Sequence, residues 1–309
     1  MELYIVSIKN MQDVHDDTSC MMFVSEERRQ KIKRFLRQSS KKHSLVSELL
    51  VRYILMKKQK INNQEICFET NAYGKPYVKG IDSFYFNISH SGDYVAVLCG
   101  GTEVGCDIEQ KYPDDALNLA ERFFTKEEYH ILQRLPEHKQ TTAFGLLWTL
   151  KESYIKYKGK GLSIPLDSFS FSDALSNLQW EESKDHIFLN PNGEKDIKLK
   201  TFALHQSKLE SNKKADNAGT KTTDFQESPV RGMGGASCAK LESNKKADNA
   251  GTKTTDFQES PVRGMGGASC AKHGLLLNAD YYLSICAKED LADVALRELS
   301  CDEIGVIRL

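Results

Sequence analysis

The sequence predicts an α+β protein built from two similar halves, residues 1–103 and 104–309. Three observations lead to this prediction. Helical periodicity is followed by strand-like segments in the first half, and the same order returns in the second half. An exact repeat interrupts the second half without adding an apolar core of its own. We expect a pseudo-two-fold axis to relate the two halves.

The first half begins with the strand-like segment "LYIVSI" and continues with two helices. Ser25 is the expected N-cap of the first helix, because Glu26 and Glu27 follow it in the first turn. Apolar residues recur at helical intervals from 45 to 54 and predict the second helix. Strands are then expected at 66–70, 76–80, 84–91 and 94–100.

The second half opens with "EVGCDIE", which we interpret as a strand. Helical spacing then predicts three helices, at 116–124, 126–135 and 141–158. Further strands are expected at 168–173, 186–190, 197–205 and 281–287. The helices therefore precede most of the strands here as well.

The repeat consists of residues 209–240, which recur letter for letter at 241–272. Each copy is polar, has one aromatic residue and shows no period of a helix or a strand, so it cannot bury enough apolar surface to offset its ordering entropy. We predict a disordered insert. The strand-like segments on either side are expected to pair as an ordinary hairpin, because a surface loop tolerates a long insertion.

The composition is that of a soluble globular protein, with 40% hydrophobic residues, 28% charged residues and a net charge of -1. The sequence shows no signal peptide and no apolar run of the roughly 18 residues that a membrane span needs, so we expect a cytoplasmic protein without a membrane partner. Eight scattered cysteines indicate reduced thiols. The balanced charge argues against nucleic-acid binding, but the basic run 28–43 could form a local anion site.

Three carboxylates are candidates for a metal site. Asp107 and Glu109 are two positions apart on a predicted strand, so they share a face and lie about 7 Å apart. Glu152 lies on the last predicted helix, four residues before Lys156 on the same face. Carboxylate oxygens are the ligands that magnesium prefers when it also holds phosphates. The plain alternatives are a helical ion pair for Glu152 with Lys156 and a solvent-facing strand edge for Asp107 and Glu109.

Several cationic and polar residues could hold a phosphate. Lys75 lies in the turn "YGKPY", and Ser89 and His90 lie in "FNISHSG". Arg28 and Lys31 lie on one turn of the first helix, where they could equally form a solvated face.

Glu128 has two interpretations. The pattern of Thr125 and Glu128 is that of a capping box, in which the glutamate only satisfies backbone donors. If Glu128 faces the metal instead, it is the candidate general base.

The motifs "YGKPY", "FNISHSG", "VGCDIE", "RFFTKEEY" and "WTLKESYIKYKGKGL", in this order, resemble the 4'-phosphopantetheinyl transferases of the surfactin-synthetase-activating type. The resemblance implies a monomer with two α+β halves and a cleft for coenzyme A and Mg²⁺ between them. It also implies a reaction in which the phosphopantetheine arm moves to a serine of an apo acyl or peptidyl carrier protein and 3',5'-ADP leaves. Nonribosomal peptide or polyketide synthesis is the implied setting.

The resemblance also implies roles for individual residues. The magnesium ligands would be Asp107, Glu109 and Glu152. Glu128 would accept the serine proton, and the pyrophosphate would meet Lys151 and the catalytic Lys156. The 3'-phosphate would be bound by Arg28, Lys31, Ser44 and His90. The adenosine part would be lined by Lys75 and Ser89. Arg28 and Ser44 stand where lysine and threonine are common in this type, and both keep a donor.

Two other classes of function are compatible with the same residues. A hydrolase or nucleotidyl transferase could use the three carboxylates on a nucleotide or a pyrophosphate, without an acceptor protein. A binding module without catalysis could use the insert as a tether. Under the transferase interpretation, the acidic carrier protein would dock near residues 121–129, with Lys126 on the rim.

Overall fold

The computed structural model describes residues 1–14, 19–110, 115–176, 186–189, 191, 194, 196–205 and 279–305. The repeat at 209–272 lies outside these residues, so its disorder stays a prediction. Among the helices of the described ranges, none is both long enough and apolar enough to cross a membrane.

The described residues of the first half form two α-helices and five strands. The strands are β1 Glu2–Ser7, β2 Phe68–Thr70, β3 Pro76–Val78, β4 Tyr85–Ser91 and β5 Tyr94–Gly100, and the helices are α1 Glu26–Arg34 and α2 Gln38–Gln59. The expected N-cap is confirmed, because the backbone N–H of Arg28 donates to Ser25 Oγ over 3.2 Å. β1, β5 and β4 form one sheet, called the first sheet, and β2 pairs with β3 separately.

The second half places its helices before most of its strands, as expected. The helices are α3 Ala116–Phe123, α4 Lys126–Arg134, α5 Glu137–Lys158 and the short α6 Ser172–Ser176. The strands are β6 Val104–Gln110, β7 His186–Leu189, β8 Lys198–Leu204 and β9 Tyr281–Ala287. They form the second sheet in the order β6-β9-β8-β7. The α+β class is thus confirmed.

Both sheets are buried on two faces. In β1, Tyr4 and Val6 pack in a core with α2, whereas Leu3 and Ile5 belong to a core that also contains residues of β6 and β9. A third core joins α5 to the second sheet. The molecule therefore stacks a helix, two sheets and a second helix. α2 and α5 both have 22 residues, but the pseudo-two-fold relation of the halves stays a prediction.

The strands on either side of the insert pair with each other, as the sequence predicts. β8 and β9 run antiparallel, with Leu204 opposite Tyr281 and Lys198 opposite Ala287. The backbone N–H of Asp280 also donates to Leu204 O over 2.9 Å. The insert therefore leaves from the end of a regular ladder, which is where a long connection disturbs the core least.

Two parts of the second half differ from expectation. Residues 168–173 do not form a strand, because side chains take their backbone groups: Lys151 binds the carbonyl of Phe169, and Glu128 binds the N–H of Phe171. A strand β10, Leu296–Leu299, pairs parallel with β1, and the helix α7, Cys301–Gly305, packs on α2. The range 104–309 is therefore not one structural half, since its last described elements complete the first sheet.

Candidate active site

The site lies where two edge strands, β4 of the first sheet and β6 of the second, meet beneath α5. Asn87 joins the strands, because its Oδ1 accepts from the backbone N–H of Cys106 over 2.9 Å. Gly105 lets α5 lie directly on β6. A Cβ at this position would come within 2.0 Å of Ser153 O, so no side chain fits there.

The carboxylates of β6 face α5, as the alternation of the strand predicts. Cys106 and Ile108 belong to the core between the sheets, and Asp107 is buried on the opposite side. Asp107 Oδ1 accepts from Lys156 Nζ at 2.5 Å and from Ser89 Oγ at 2.9 Å. Within the described residues, Asp107 Oδ2 is buried and has no hydrogen-bond partner. The site thus contains an unsatisfied carboxylate oxygen.

The acids of the site repel one another. Burial and the charge of Asp107 raise the pKa of Glu109 to about 8 and that of Glu152 to about 7. Burial also raises the pKa of Asp107. Burial alone would lower the pKa of Lys156, but Asp107 and Glu152 raise it instead. Because these shifts require mutual proximity, the three carboxylates and Lys156 form one electrostatic cluster.

This cluster fits a hard divalent cation such as Mg²⁺. Three carboxylates with raised pKa values, one carrying an unsatisfied buried oxygen, gain most from a positive charge among them. The described residues contain no group of three His, Cys, Asp or Glu side chains already arranged as a metal site. The ammonium of Lys156 occupies Asp107 Oδ1 instead, so a cation would require this ion pair to rearrange.

A cavity of about 560 Å³ lies between α1, α2 and the strands β2, β3 and β4. Its charged lining combines Arg28 and Lys31 of α1 with Glu27, Glu48 and Glu69, and Phe68, Pro76 and Phe86 line its apolar side. The Arg28 guanidinium donates to Ser44 Oγ over 3.2 Å, so the structure brings these two predicted phosphate ligands together. Burial and the charge of Arg28 lower the pKa of Lys31.

His90 lies within electrostatic range of Lys31 at the cavity and of Lys156 in the cluster. Its ring is exposed at the cleft and stacks on His43, with the ring centroids 4.5 Å apart and the planes 7° from parallel. Restricted solvation in the cleft and the charges of His43, Lys156 and Lys31 lower the pKa of His90. An unbroken series of interacting groups therefore runs from Arg28 to the carboxylates.

Comparison with known proteins gives this arrangement a family. Residues 103–206 match the family model "4'-phosphopantetheinyl transferase superfamily", and residues 13–101 match "4'-phosphopantetheinyl transferase, N-terminal". The chain is 38% identical to 4'-phosphopantetheinyl transferase Sfp of Bacillus subtilis (strain 168) over 170 residues, which is 55% of the chain and 75% of the relative. The chain belongs to the 4'-phosphopantetheinyl transferase family.

Two further relatives agree with this assignment. A 4'-phosphopantetheinyl transferase of Bacillus subtilis is 33% identical over 209 residues, which cover 66% of the chain and 93% of the relative. The transferase gsp of Aneurinibacillus migulanus is 39% identical over 169 residues, which cover 55% of the chain and 70% of the relative. The predicted family is thus confirmed, and the chain is an enzyme that transfers phosphopantetheine from coenzyme A to carrier proteins.

The structure of the transferase does not bring Glu128 and Lys151 into the cleft. Both side chains are fully buried and form an ion pair of 2.8 Å with each other. Glu128 also forms the capping box with Thr125 and accepts from the N–H of Phe171 at 2.8 Å. Lys151 donates to the carbonyls of Leu166 and Phe169. The capping box predicted for Glu128 is therefore confirmed, and neither Glu128 nor Lys151 faces the cleft in this structure.

Lys75 also lies elsewhere than expected. Its ammonium donates to Glu103 at 2.5 Å and to the carbonyl of Val104 at 2.9 Å, at the start of β6. The neighbouring Asn71 donates to the carbonyl of Gly159 at the end of α5. This turn therefore links the two halves, and only its Gly74 and Pro76 line the cavity beside α1.

Sequence analysis missed two residues that hold site groups in place. Ser91 Oγ donates to Glu109 Oε2 at 2.9 Å, in parallel with the bond from Ser89 to Asp107. Residues 89 and 91 are two positions apart on β4, as residues 107 and 109 are on β6. This matching spacing was the signal in the sequence for the two parallel hydrogen bonds. Glu48 is buried and accepts from Arg28 Nε at 2.9 Å. No local pattern links Glu48 to Arg28, because they lie on different helices.

Proposed function

We propose that this transferase moves the 4'-phosphopantetheine arm of coenzyme A to a serine hydroxyl of an apo acyl or peptidyl carrier protein, with Mg²⁺, and releases 3',5'-ADP. The observation that carries the proposal is the electrostatic series from Arg28 and Lys31 through His90 and Lys156 to the acidic cluster. Coenzyme A has the complementary order of groups, because its 3'-phosphate, adenosine and pyrophosphate follow one another.

The acidic cluster is the proposed metal site. Asp107, Glu109 and Glu152 would hold Mg²⁺, with Ser89 and Ser91 orienting the first two. Bound there, the ion would neutralise charge on the pyrophosphate, which is the main requirement of phosphoryl transfer. The fit rests on the unsatisfied oxygen of Asp107 and on the raised pKa values of the acids.

Lys156 is the proposed catalytic cation. Its ammonium lies between Asp107 and Ser89, at the end of the cleft nearest to His90. A lysine in this position binds a pyrophosphate oxygen and stabilises the charge that develops as the bond to the pantetheine side breaks. Because both oxygens of Glu128 are occupied, the proposed mechanism depends on positioning and charge neutralisation. The serine proton passes to solvent as the new phosphorus–oxygen bond forms and the bond to 3',5'-ADP breaks.

The cavity is the proposed site of the nucleotide. Arg28, Lys31, Ser44 and His90 would bind the 3'-phosphate, and the apolar side of the cavity would hold the base. Ser89 is closer to the pyrophosphate than the expected adenosine role implies, since it contacts Lys156 and Asp107. Lys75 would contact adenosine only after leaving Glu103.

Mass spectrometry of an apo carrier protein mixed with the chain, coenzyme A and Mg²⁺ tests the proposal. We expect a mass gain of one phosphopantetheine, lost in Asp107→Ala and kept in the control Asp82→Ala, which changes an exposed carboxylate. Hydrolysis of coenzyme A or ATP with water alone would favour the hydrolase instead.

Deleting residues 209–272 tests the tether. Transfer should survive the deletion, because the flanking strands already pair in register. Loss of carrier binding with an intact coenzyme A site would support the tether. Four expectations stay predictions: the monomeric state, the cytoplasmic location, the docking surface near Lys126 and the absence of nucleic-acid binding. The six cysteines in the described ranges are free.

A further inference from the structure

His43 is the residue of this cleft to which neither the sequence motifs nor the proposed mechanism gives a role. It lies on the second turn of α2, next to Ser44, and is half-buried. Its Nε2 lies 2.9 Å from the carbonyl of Gly92, in the turn between β4 and β5. The carbonyl can only accept, so Nε2 carries a proton. This hydrogen bond fixes the plane of the ring.

The fixed ring of His43 presents a flat face to His90. With the planes 7° apart and the centroids 4.5 Å apart, the two imidazoles stack face to face. His90 is exposed, and its ring also forms a hydrogen bond with its own backbone. The stack therefore fixes the plane in which the ring nitrogens of His90 lie.

The charges around the pair decide its protonation. Lys31 from α1 and Lys156 from α5 face His90, and Asp93 in the turn faces His43. Two imidazolium rings in such a stack would repel each other, so the pair holds at most one extra proton. Burial lowers the pKa of both rings, and the charges of Lys156 and Lys31 lower that of His90 further, so both rings are neutral near neutral pH in the free protein. A bound phosphate would supply the missing negative charge.

We propose that His43 and His90 act as one unit for recognising the 3'-phosphate, in which His43 positions His90 and the exposed ring takes up a proton when the phosphate binds. This inference rests on the proposed function. It predicts that the pair distinguishes a ligand with a 3'-phosphate monoester from one with a 3'-hydroxyl. The proton comes from solvent and moves to a ring nitrogen of His90, without any covalent step.

Calorimetry in two buffers of different ionisation enthalpy measures the proton uptake. At about pH 7.5, where a phosphate monoester is already a dianion, coenzyme A should bind with uptake of about one proton more than dephospho-coenzyme A, which carries a 3'-hydroxyl. Proton changes at the acidic cluster are common to both ligands and cancel in this difference. Equal proton counts for the two ligands would overturn the inference.

Three variants isolate the stack. His43→Ala removes both the stacked ring and its anchor, and should weaken binding of coenzyme A about fivefold or more while leaving dephospho-coenzyme A unchanged. His43→Phe keeps the stack and should retain more of the affinity than His43→Ala. His130→Ala removes an exposed histidine elsewhere and should match the unmodified protein. If His43→Ala weakens both ligands equally, or neither, His43 has no positioning role.

The design separates two kinds of failure. If His43→Ala does not fold, as judged from circular dichroism and the melting temperature, the His43→Phe variant and the proton counts of the unmodified protein still decide the question. If the unmodified protein binds neither ligand, the proposed function itself fails. If it binds both with the same affinity and the same proton count, only this inference fails.

Discussion

Replacing Glu128 with glutamine distinguishes a base in the cleft from a buried structural acid. Glu128 Oε2 accepts from Thr125 N at 3.0 Å and from Lys151 Nζ at 2.8 Å, and Oε1 accepts from Phe171 N. A glutamine keeps one oxygen, so at least one of these buried donors must face its NH₂ group. An orphaned buried donor costs about 1–3 kcal/mol. Lys151 would also lose the charge that balances its own.

Breaking a fully buried ion pair costs about 3–5 kcal/mol, so we expect Glu128→Gln to lower the free energy of unfolding by about that amount. The cation–π contacts of Lys151 with three aromatic rings, the closest that of Phe169 at 4.4 Å, are present before and after the substitution and do not offset the loss. Urea unfolding followed by tryptophan fluorescence measures the change. The turnover number of the folded fraction should stay within about threefold, whereas loss of a general base costs about 10²- to 10⁴-fold.

Two controls accompany this variant. Glu127→Gln changes the neighbouring exposed acid and should alter stability by about 0.5 kcal/mol or less. The double variant Glu128→Leu/Lys151→Met removes both buried charges and should be more stable than Glu128→Gln. If Glu128→Gln is as stable as the unmodified protein but at least 10²-fold slower, the structural interpretation is wrong and Glu128 is the base.

Three further outcomes are expected. Ser91→Ala should weaken Mg²⁺ binding, because Glu109 loses the hydroxyl that orients it, and Ser91→Thr should restore the affinity. Calorimetry without coenzyme A measures the binding, and equal affinity in the two variants and the unmodified protein would contradict this role of Ser91. Gly105→Ala should destabilise the protein by more than about 3 kcal/mol in urea unfolding, since the added methyl meets the α5 backbone, and a smaller loss would mean that α5 can shift. Without Mg²⁺, the melting temperature should fall as pH rises from about 5 to 8, because the folded protein holds protons on Glu109 and Glu152 that the unfolded chain has released. Added Mg²⁺ should reverse this fall. A melting temperature that does not change with pH would refute the coupling of the two acids to stability.

Alternation along strands predicted most of the site. The faces of β6 followed directly from a period of two, and this placed Asp107 and Glu109 together before any fold was known. The same rule, combined with helical spacing, brought Glu152 and Lys156 to one face of α5. Local periodicity was sufficient because these residues lie on long regular elements.

The errors arose where side chains compete with the backbone. Lys151 is next to Glu152 in sequence, but neighbouring residues of a helix are rotated by about 100° about its axis. The side chain of Lys151 therefore faces the segment after α5 and not the cleft. There it occupies the carbonyl of Phe169, and the predicted strand at 168–173 does not form. The pairing of β10 with β1 has no local signal, because it joins distant parts of the chain.

The parallel pairing of β1 with β10 bears on how the protein is made. β1 leaves the ribosome well before β10, so one of its edges has no neighbour until Leu296–Leu299 has been synthesised. An open edge with apolar residues on both faces favours wrong association between nascent chains. Holdase chaperones should therefore raise the yield of active protein more than prolyl isomerases do.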